Sequence, residues 1–120
     1  MDNNFFHFED LKVYQKSLDY LDYVYEISKK FPSSELFMLT SQFLRASQSI
    51  SLNIAEGAGE YAVDEKARFY RMAKRSATEC AGVLDVCQRL RLVEENRYIK
   101  GRELLIGLVS MLIKMAQKQR

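Results

Sequence analysis

The chain of 120 residues contains a single proline, Pro32, and this feature restricts its fold more than any other. Only five glycines add to the residues that favour a change of direction. A β-sandwich or barrel needs a turn about every ten residues, so turn-forming residues are too few for either. Hydrophobic residues make up 48% and charged residues 28%, which is typical of a folded globular protein. We therefore expect one domain, residues 1–120, built from long helices.

Apolar residues recur at steps of three and four over four segments, which predicts four amphipathic helices. A serine cap at Ser33 or Ser34 and an aspartate cap at Asp64 would begin the second and third helices. The first segment runs from about Glu9 to Lys30, and the second runs from its serine cap to a stop at Gly57-Ala58-Gly59. The third runs from Asp64 to about Leu92, and the fourth follows a short link around Val93–Asn96 and ends near Gln117. Short connections join them, so we expect an all-α, antiparallel up-down four-helix bundle with residues 1–8 as a flexible segment.

Each predicted helix has an apolar stripe that we expect to face the core. The first helix has two adjacent stripes: Leu11, Tyr14, Leu18, Leu21 and Tyr25, which form the expected seam, and Val13, Ser17, Tyr20, Val24, Ile27 and Phe31. The second helix has Leu36, Leu39, Phe43, Ala46, Ile50, Ile54 and Gly57. The third has Phe69, Ala73, Ser76, Cys80, Val83, Leu84, Cys87 and Leu90.

The second and fourth helices carry too few charges to have a polar outer face. Arg45 is the only charged residue between Leu36 and Ala55, and residues 104–115 are apolar almost all round the helix. Monomers rarely expose large apolar patches, so we expect symmetric self-association through Ile106, Val109 and Ile113. Alternatively, one of these helices is central and shielded by the N-terminal segment that contains Phe5, Phe6 and Phe8.

Isolated polar residues on the second helix need partners. Arg45 and Glu56 are eleven positions apart, so they cannot pair within one helix, and Glu79 is a candidate partner for Arg45. We interpret Arg45, Asn53, Glu56 and Glu79 as a polar network that fixes the register between helices or subunits. A ligand site is the alternative.

Basic residues are concentrated in the second half of the chain. The net charge of +2 combines −4 for residues 1–60, with five basic and nine acidic side chains, and +6 for residues 61–120, with thirteen and seven. Four cations of the third helix form a candidate phosphate-binding patch: Arg68, Arg71, Lys74 and Arg75. Tyr70 lies nearby and could stack on a base. The alternative is a solvated helix face that Glu79 partly neutralises.

Residues typical of catalytic and metal sites are scarce. His7 is the only histidine, so serine or cysteine nucleophiles lack an imidazole partner on the bundle. Cys80 and Cys87 lie about 10 Å apart along a helix, too far for a disulfide, and indicate buried thiols in a reducing compartment. The N-terminus lacks a signal peptide pattern, and the longest apolar stretch is about half a membrane span. We expect a cytoplasmic protein without enzymatic activity, cofactor, metal or membrane contact.

Several short motifs resemble one bacterial family. They are Phe8–Lys16, Arg45-Ala46, Ser49-Ile50, Asn53–Gly57, Ala73–Ser76 and Glu79. With them the chain, from about Phe8 to Gln117, is similar to the four-helix-bundle proteins encoded within intervening sequences of 23S ribosomal RNA genes, also labelled the S23 ribosomal protein family. Two positions depart from the family pattern: Tyr14 replaces a frequent tryptophan and Ser51 a frequent proline.

The resemblance implies a homopentameric ring of bundles without established enzymatic activity. Similar proteins include accessory variability proteins of diversity-generating retroelements, which associate with a reverse transcriptase and with nucleic acid. Two roles follow as expectations. The first is a ring that binds RNA or DNA weakly through the basic face of the third helix; the second is a protein-interaction scaffold for a polymerase-type partner.

Overall fold

The computed structural model describes residues 6–32 and 36–118 and shows an all-α fold. A 3₁₀ helix, His7–Asp10, precedes four α-helices: α1 (Lys12–Ser28), α2 (Phe37–Ala58), α3 (Val63–Arg89) and α4 (Glu95–Lys118). Each α-helix contacts the next along the chain, and α4 returns to contact α1. Within the described ranges, the backbones of the diagonal pairs α1–α3 and α2–α4 do not approach each other closely, whereas the buried side chains of all four helices share one core. The predicted antiparallel four-helix bundle is confirmed.

The helix boundaries differ from the predicted ones at the caps. The aspartate cap was wrong: α3 begins at Val63 with Ala62 in the cap position, and Asp64 lies in its first turn. An acidic side chain there still interacts favourably with the positive end of the helix dipole. The predicted cap at Ser33 or Ser34 lies outside the described residues.

The core lies along the second of the two apolar stripes of α1. Val13, Ser17, Tyr20, Val24, Ile27 and Phe31 are buried. Of the first stripe, Leu11 and Tyr14 are half-buried and pack against the core, whereas Leu18 and Tyr25 are exposed, so it is only partly the seam that we expected. This side of α1 meets both neighbouring helices. Ser17 hydrogen-bonds Ser51 of α2 at 2.8 Å, and Tyr23, a buried residue that neither predicted stripe included, donates to the carbonyl of Arg97 on α4 at 2.6 Å.

The core stripe of α2 is confirmed from Phe43 to Gly57. On α3 the predicted core residues Ala73, Cys80, Val83, Leu84 and Cys87 are buried, whereas the N-terminal part of the stripe is rotated. Tyr70 and Ala77 are buried on α3, whereas the predicted core residue Leu90 is exposed. Phe69 is half-buried. The rotation follows from Gly57, which brings α2 close to α3: a Cβ on Gly57 would lie 2.9 Å from Phe69 Cβ and from Tyr70 Cε1. Gly101 of α4 packs in the same way against the Tyr23 ring.

The connection from α3 to α4 begins with a tight turn at the C-terminal end of α3. The Leu92 amide donates to the Cys87 carbonyl at 2.9 Å, and the Arg91 amide donates to the Gln88 carbonyl at 2.9 Å. Arg91 has φ = 60°, the left-handed geometry that ends many helices and that favours glycine. An arginine therefore occupies a position where glycine would be unstrained.

The N-terminal 3₁₀ helix packs on α1 and α2, with the Phe8 ring 4.9 Å from the Tyr14 ring. Residues 7 and 8, which we expected in a flexible segment, thus belong to an element; residues 1–5 lie outside the described part. Within the described residues this helix makes no contact with α4, so its residues do not provide the shield considered for α4. In the described part of the chain, each helix is too short or too polar to cross a membrane.

Candidate nucleic-acid interface

The four candidate cations lie together on the outer surface of α3. Arg68, Arg71, Lys74 and Arg75 are all exposed and, with Met72, line a shallow depression of about 290 Å³. The helix repeat places them there, because positions three, four and seven residues apart share one face. We call these four residues the basic patch. The helix therefore brings the four predicted site residues together on one continuous surface.

One cation of the basic patch is already paired within the chain. Arg68 donates from Nε to Glu65 Oε1 at 2.9 Å and from Nη2 to Glu65 Oε2 at 3.1 Å, and its guanidinium lies 4.9 Å from the Phe69 ring centroid. These hydrogen bonds lower the pKa of Glu65. Both side chains are about half exposed, so water screens the pair. Arg71, Lys74 and Arg75 form no ion pair among the described residues, so their positive charges are not neutralised by a neighbouring carboxylate.

Tyr70 is not available for base stacking. Only 3% of the residue is exposed, and burial raises the pKa of its hydroxyl. The expectation that it lies beside the patch as an open ring was wrong, because its position falls on the core side of α3. Tyr61, in the loop before α3, is fully exposed and was missed. The sequence signal for its exposure was the position of this tyrosine in a connection that contains glycine.

A second depression joins the basic patch to α4. Arg71 and Lys74 lie at its edge with Tyr70, and Leu112, Ile113 and Ala116 of α4 form its apolar side, for a volume of about 240 Å³. The patch therefore borders the α4 surface that was predicted to mediate self-association. A neighbouring molecule on α4 would lie close to these cations.

The predicted polar network does not close within one chain. Arg45, Glu56 and Glu79 are exposed and form no ion pair among the described residues. All three lie on the outward side of their helices, so the polar network stays a prediction for contacts between subunits. Serines hold the register instead: Ser76 Oγ donates to Ser49 Oγ at 2.9 Å between α3 and α2, and Asn53 Nδ2 donates to that same oxygen at 3.1 Å.

Arg45 and Glu79 do share a surface, which is a long groove along α2. The groove has a volume of about 840 Å³, and its lining includes Met38, Leu39, Gln42 and Leu52 as well as the two charged residues. We call it the α2 groove. Gln42 donates to Glu79 at 3.4 Å across it. Its lining mixes apolar residues with uncharged polar ones, and Arg45 and Glu79 are the charged residues in it. So few charges are unusual for a solvent-facing helix.

The motifs behind the family resemblance converge on this same side of the molecule. Ser49, Asn53, Arg75, Ser76 and Glu79 line one pocket of about 360 Å³ between α2 and α3, next to the α2 groove. The family model of the 23S rRNA-intervening sequence protein matches residues 9–114. The chain belongs to the 23S rRNA-intervening sequence protein family. No curated protein matches it.

On α4 of this intervening sequence protein, the predicted interface residues are only partly on the surface. Ile106 and Ile113 are exposed, whereas Val109 is half-buried and packs against the core. Ile99 is also exposed and was missed. Its spacing of seven from Ile106, repeated to Ile113, was the available signal, since residues seven apart lie almost above one another on a helix. These three isoleucines form a straight outer row.

The two thiols of this intervening sequence protein lie in the core. Burial raises the pKa of Cys80 to about 12 and that of Cys87 to about 11, so both are neutral thiols near neutral pH. His7 is exposed on the 3₁₀ helix. Within residues 6–32 and 36–118, there is no cluster of three or more histidine, cysteine, aspartate or glutamate side chains that could hold a metal ion.

Proposed function

We propose that this intervening sequence protein is a non-enzymatic, cytoplasmic protein that assembles into a homo-oligomeric ring, a pentamer, and binds RNA or DNA weakly through the basic patch. One observation carries the proposal: four cations lie side by side on the exposed face of α3, and three of them have no ion pair among the described residues. Phosphates are the ligands that such a surface favours. The pentamer is implied by the family resemblance.

Self-association has support of its own. Ile106 and Ile113 are exposed on α4, and a solvent-facing row of isoleucines is costly for a monomer. Repeating the basic patch around a ring would turn a modest local charge into a band of positive potential, and binding would gain from several weak contacts at once. We expect little base preference, because the candidate contacts are cations and the Tyr70 ring beside them is buried.

The salt dependence of binding tests the nucleic-acid role. Fluorescence anisotropy with a structured RNA and with a DNA duplex should show weak binding at about 50 mM salt that falls as salt rises. The triple variant Arg68→Gln, Arg71→Gln, Arg75→Gln should reduce the slope of log K against log salt by about two to three, with Arg68 contributing least because Glu65 already pairs with it.

A matched control removes the same net charge from another face. Lys12 and Lys16 lie on the exposed side of α1, and Lys30 is exposed in the turn after it. Their replacement by glutamine should leave the slope nearly unchanged. If the α3 triple variant keeps the wild-type slope, the contact lies elsewhere. If the wild-type protein does not bind at about 50 mM salt, nucleic-acid binding is wrong.

A second candidate function is a protein-interaction scaffold, and the α2 groove favours it. Met38 and Leu52 are exposed along the groove, which offers apolar contacts to a partner. The resemblance suggests a polymerase-type protein such as a reverse transcriptase. In that case wild-type and triple variant would capture the purified polymerase equally well, and neither would retard nucleic acid.

A further inference from the structure

We infer that α4 of one protomer docks lengthwise into the α2 groove of the next protomer, in a head-to-tail contact that repeats around the ring. The inference rests on the proposed self-association and names its two surfaces. The occupant of the groove is a second copy of this chain. Shape, charge and position within the bundle each support the contact.

The α4 surface has the form of a ridge. Ile99, Ile106 and Ile113 follow one another at intervals of seven residues, and all three are exposed. We call this row the α4 ridge. Gly107 lies beside its centre, and a Cβ added there would meet no atom within 4 Å. The backbone is therefore open to close approach, as is common where helices of different subunits pack.

The α2 groove repeats the same interval. Met38, Arg45 and Leu52 are seven residues apart along it, so the groove and the ridge each span fourteen helical residues, or about 21 Å. An elongated ridge of isoleucines is complementary in shape to a groove of equal length whose lining includes Met38, Leu39 and Leu52. Docking would cover exposed side chains of both helices, including Leu52 and Ile106, in a single step.

The charges on the two surfaces are complementary as well. Arg45 is at the centre of the α2 groove, and Glu79 lies on its other wall. Arg102 and Glu103 flank the α4 ridge one turn before Ile106, and both are exposed. In the docked pair Arg45 faces Glu103 of the next copy and Glu79 faces Arg102. Arg45, Glu79 and Glu103 form no ion pair among the described residues of one chain.

The position of the two surfaces in the bundle determines the type of assembly. Within the described residues the backbones of α2 and α4 do not approach each other closely, because they lie on diagonally opposite sides of the bundle. Different surfaces on opposite sides join copies head to tail, which produces a closed ring or an open filament rather than a two-fold dimer. The outer face of α3 lies between them, and its basic patch borders the contact, because Arg71 and Lys74 share a depression with Ile113 of the ridge.

Mixing two blocked variants tests this inference. Ile106→Glu disables the ridge and Leu52→Glu disables the groove; both positions are exposed, at 57% and 63%, so the bundle should keep its helicity in circular dichroism. Each variant alone should sediment as a monomer. An equimolar mixture should form a dimer of twice the chain mass and nothing larger, because only one intact ridge and one intact groove can meet.

A control and a charge exchange complete the design. Tyr25→Glu introduces the same charge on α1 at a matched exposure of 56%, and it should leave the wild-type assembly unchanged. Arg45→Glu alone should lose the assembly, and adding Glu103→Arg in the same chain should restore it. This second pair of variants tests the contact without changing any apolar side chain.

The outcomes separate this inference from the proposed function. A wild-type monomer would overturn both. A wild-type oligomer whose two blocked variants stay monomeric when mixed, or one that tolerates Leu52→Glu, would overturn the head-to-tail contact and leave self-association standing. A heterodimer in the mixture, with restoration by the charge exchange, supports the contact between α4 and the α2 groove.

Discussion

Two helical glycines have opposite roles, and replacing each by alanine should shift stability in opposite directions. Alanine is about 1 kcal/mol more favourable than glycine inside a helix. At Gly82 an added Cβ meets no atom within 4 Å, so Gly82→Ala should stabilise the bundle by about 0.5–1 kcal/mol. At Gly57 the added Cβ lies 2.9 Å from Phe69 Cβ and 2.9 Å from Tyr70 Cε1, so α2 and α3 must move apart.

Overpacking a core by one methyl group costs about 1–3 kcal/mol. The gain in helix propensity is common to both variants and cancels in their difference, so Gly57→Ala should be less stable than Gly82→Ala by about 1–3 kcal/mol. Urea unfolding, followed by circular dichroism at one fixed protein concentration, measures the difference directly. Equal stability, or a more stable Gly57→Ala, would refute the close approach of α2 and α3 at this glycine.

Two further predictions concern stability. Arg91→Gly should stabilise the bundle by about 0.5–1 kcal/mol in thermal or urea unfolding, because glycine adopts the φ of 60° without strain; no gain would contradict that geometry. The free energy of unfolding should also depend on alkaline pH, because burial raises the pKa of Cys80 from 9.0 to about 12 and that of Cys87 from 9.0 to about 11. The unfolded chain loses these protons first, so the contribution of the two buried thiols to stability is fully present below about pH 9 and is lost between about pH 9 and 12. A free energy of urea unfolding that is unchanged from pH 8 to pH 11 would contradict this dependence.

The fold was predictable because the helices carry a clear apolar period and the chain has one proline. What the period could not decide was which of two adjacent stripes on α1 meets the core. Both stripes are apolar, and the choice depends on where α2 and α4 sit: Tyr23 and Ser17 make the contacts that orient the helix. Long-range packing of this kind is not encoded in local spacing.

The basic patch was predictable from helical spacing, whereas its electrostatics were not. The sequence places Arg68 with the other cations, but only the structure shows that Glu65 binds it through two hydrogen bonds. The burial of Tyr70 was missed for a related reason. Gly57 lets the aromatic side of α3 approach α2 closely, which turns Tyr70 into the core and away from the patch.

The isolated charges of α2 illustrate the limit of a one-chain prediction. A helix with so few charges was expected to be buried, and the structure instead exposes Arg45 in a long groove. Scarcity of charge is typical of any surface that is covered, whether by the same chain or by another copy. The composition of α2 indicates that a surface is covered, but it does not identify the covering element.

The mass of the wild-type protein in solution tests self-association most directly. Sedimentation equilibrium across the micromolar range should give a single closed species at five times the 14.0 kDa of one chain. The mass should not grow with concentration, because a closed ring leaves no free α4 ridge or α2 groove. A 14.0 kDa monomer throughout that range would contradict the ring, and with it the repeated basic band that the proposed function requires.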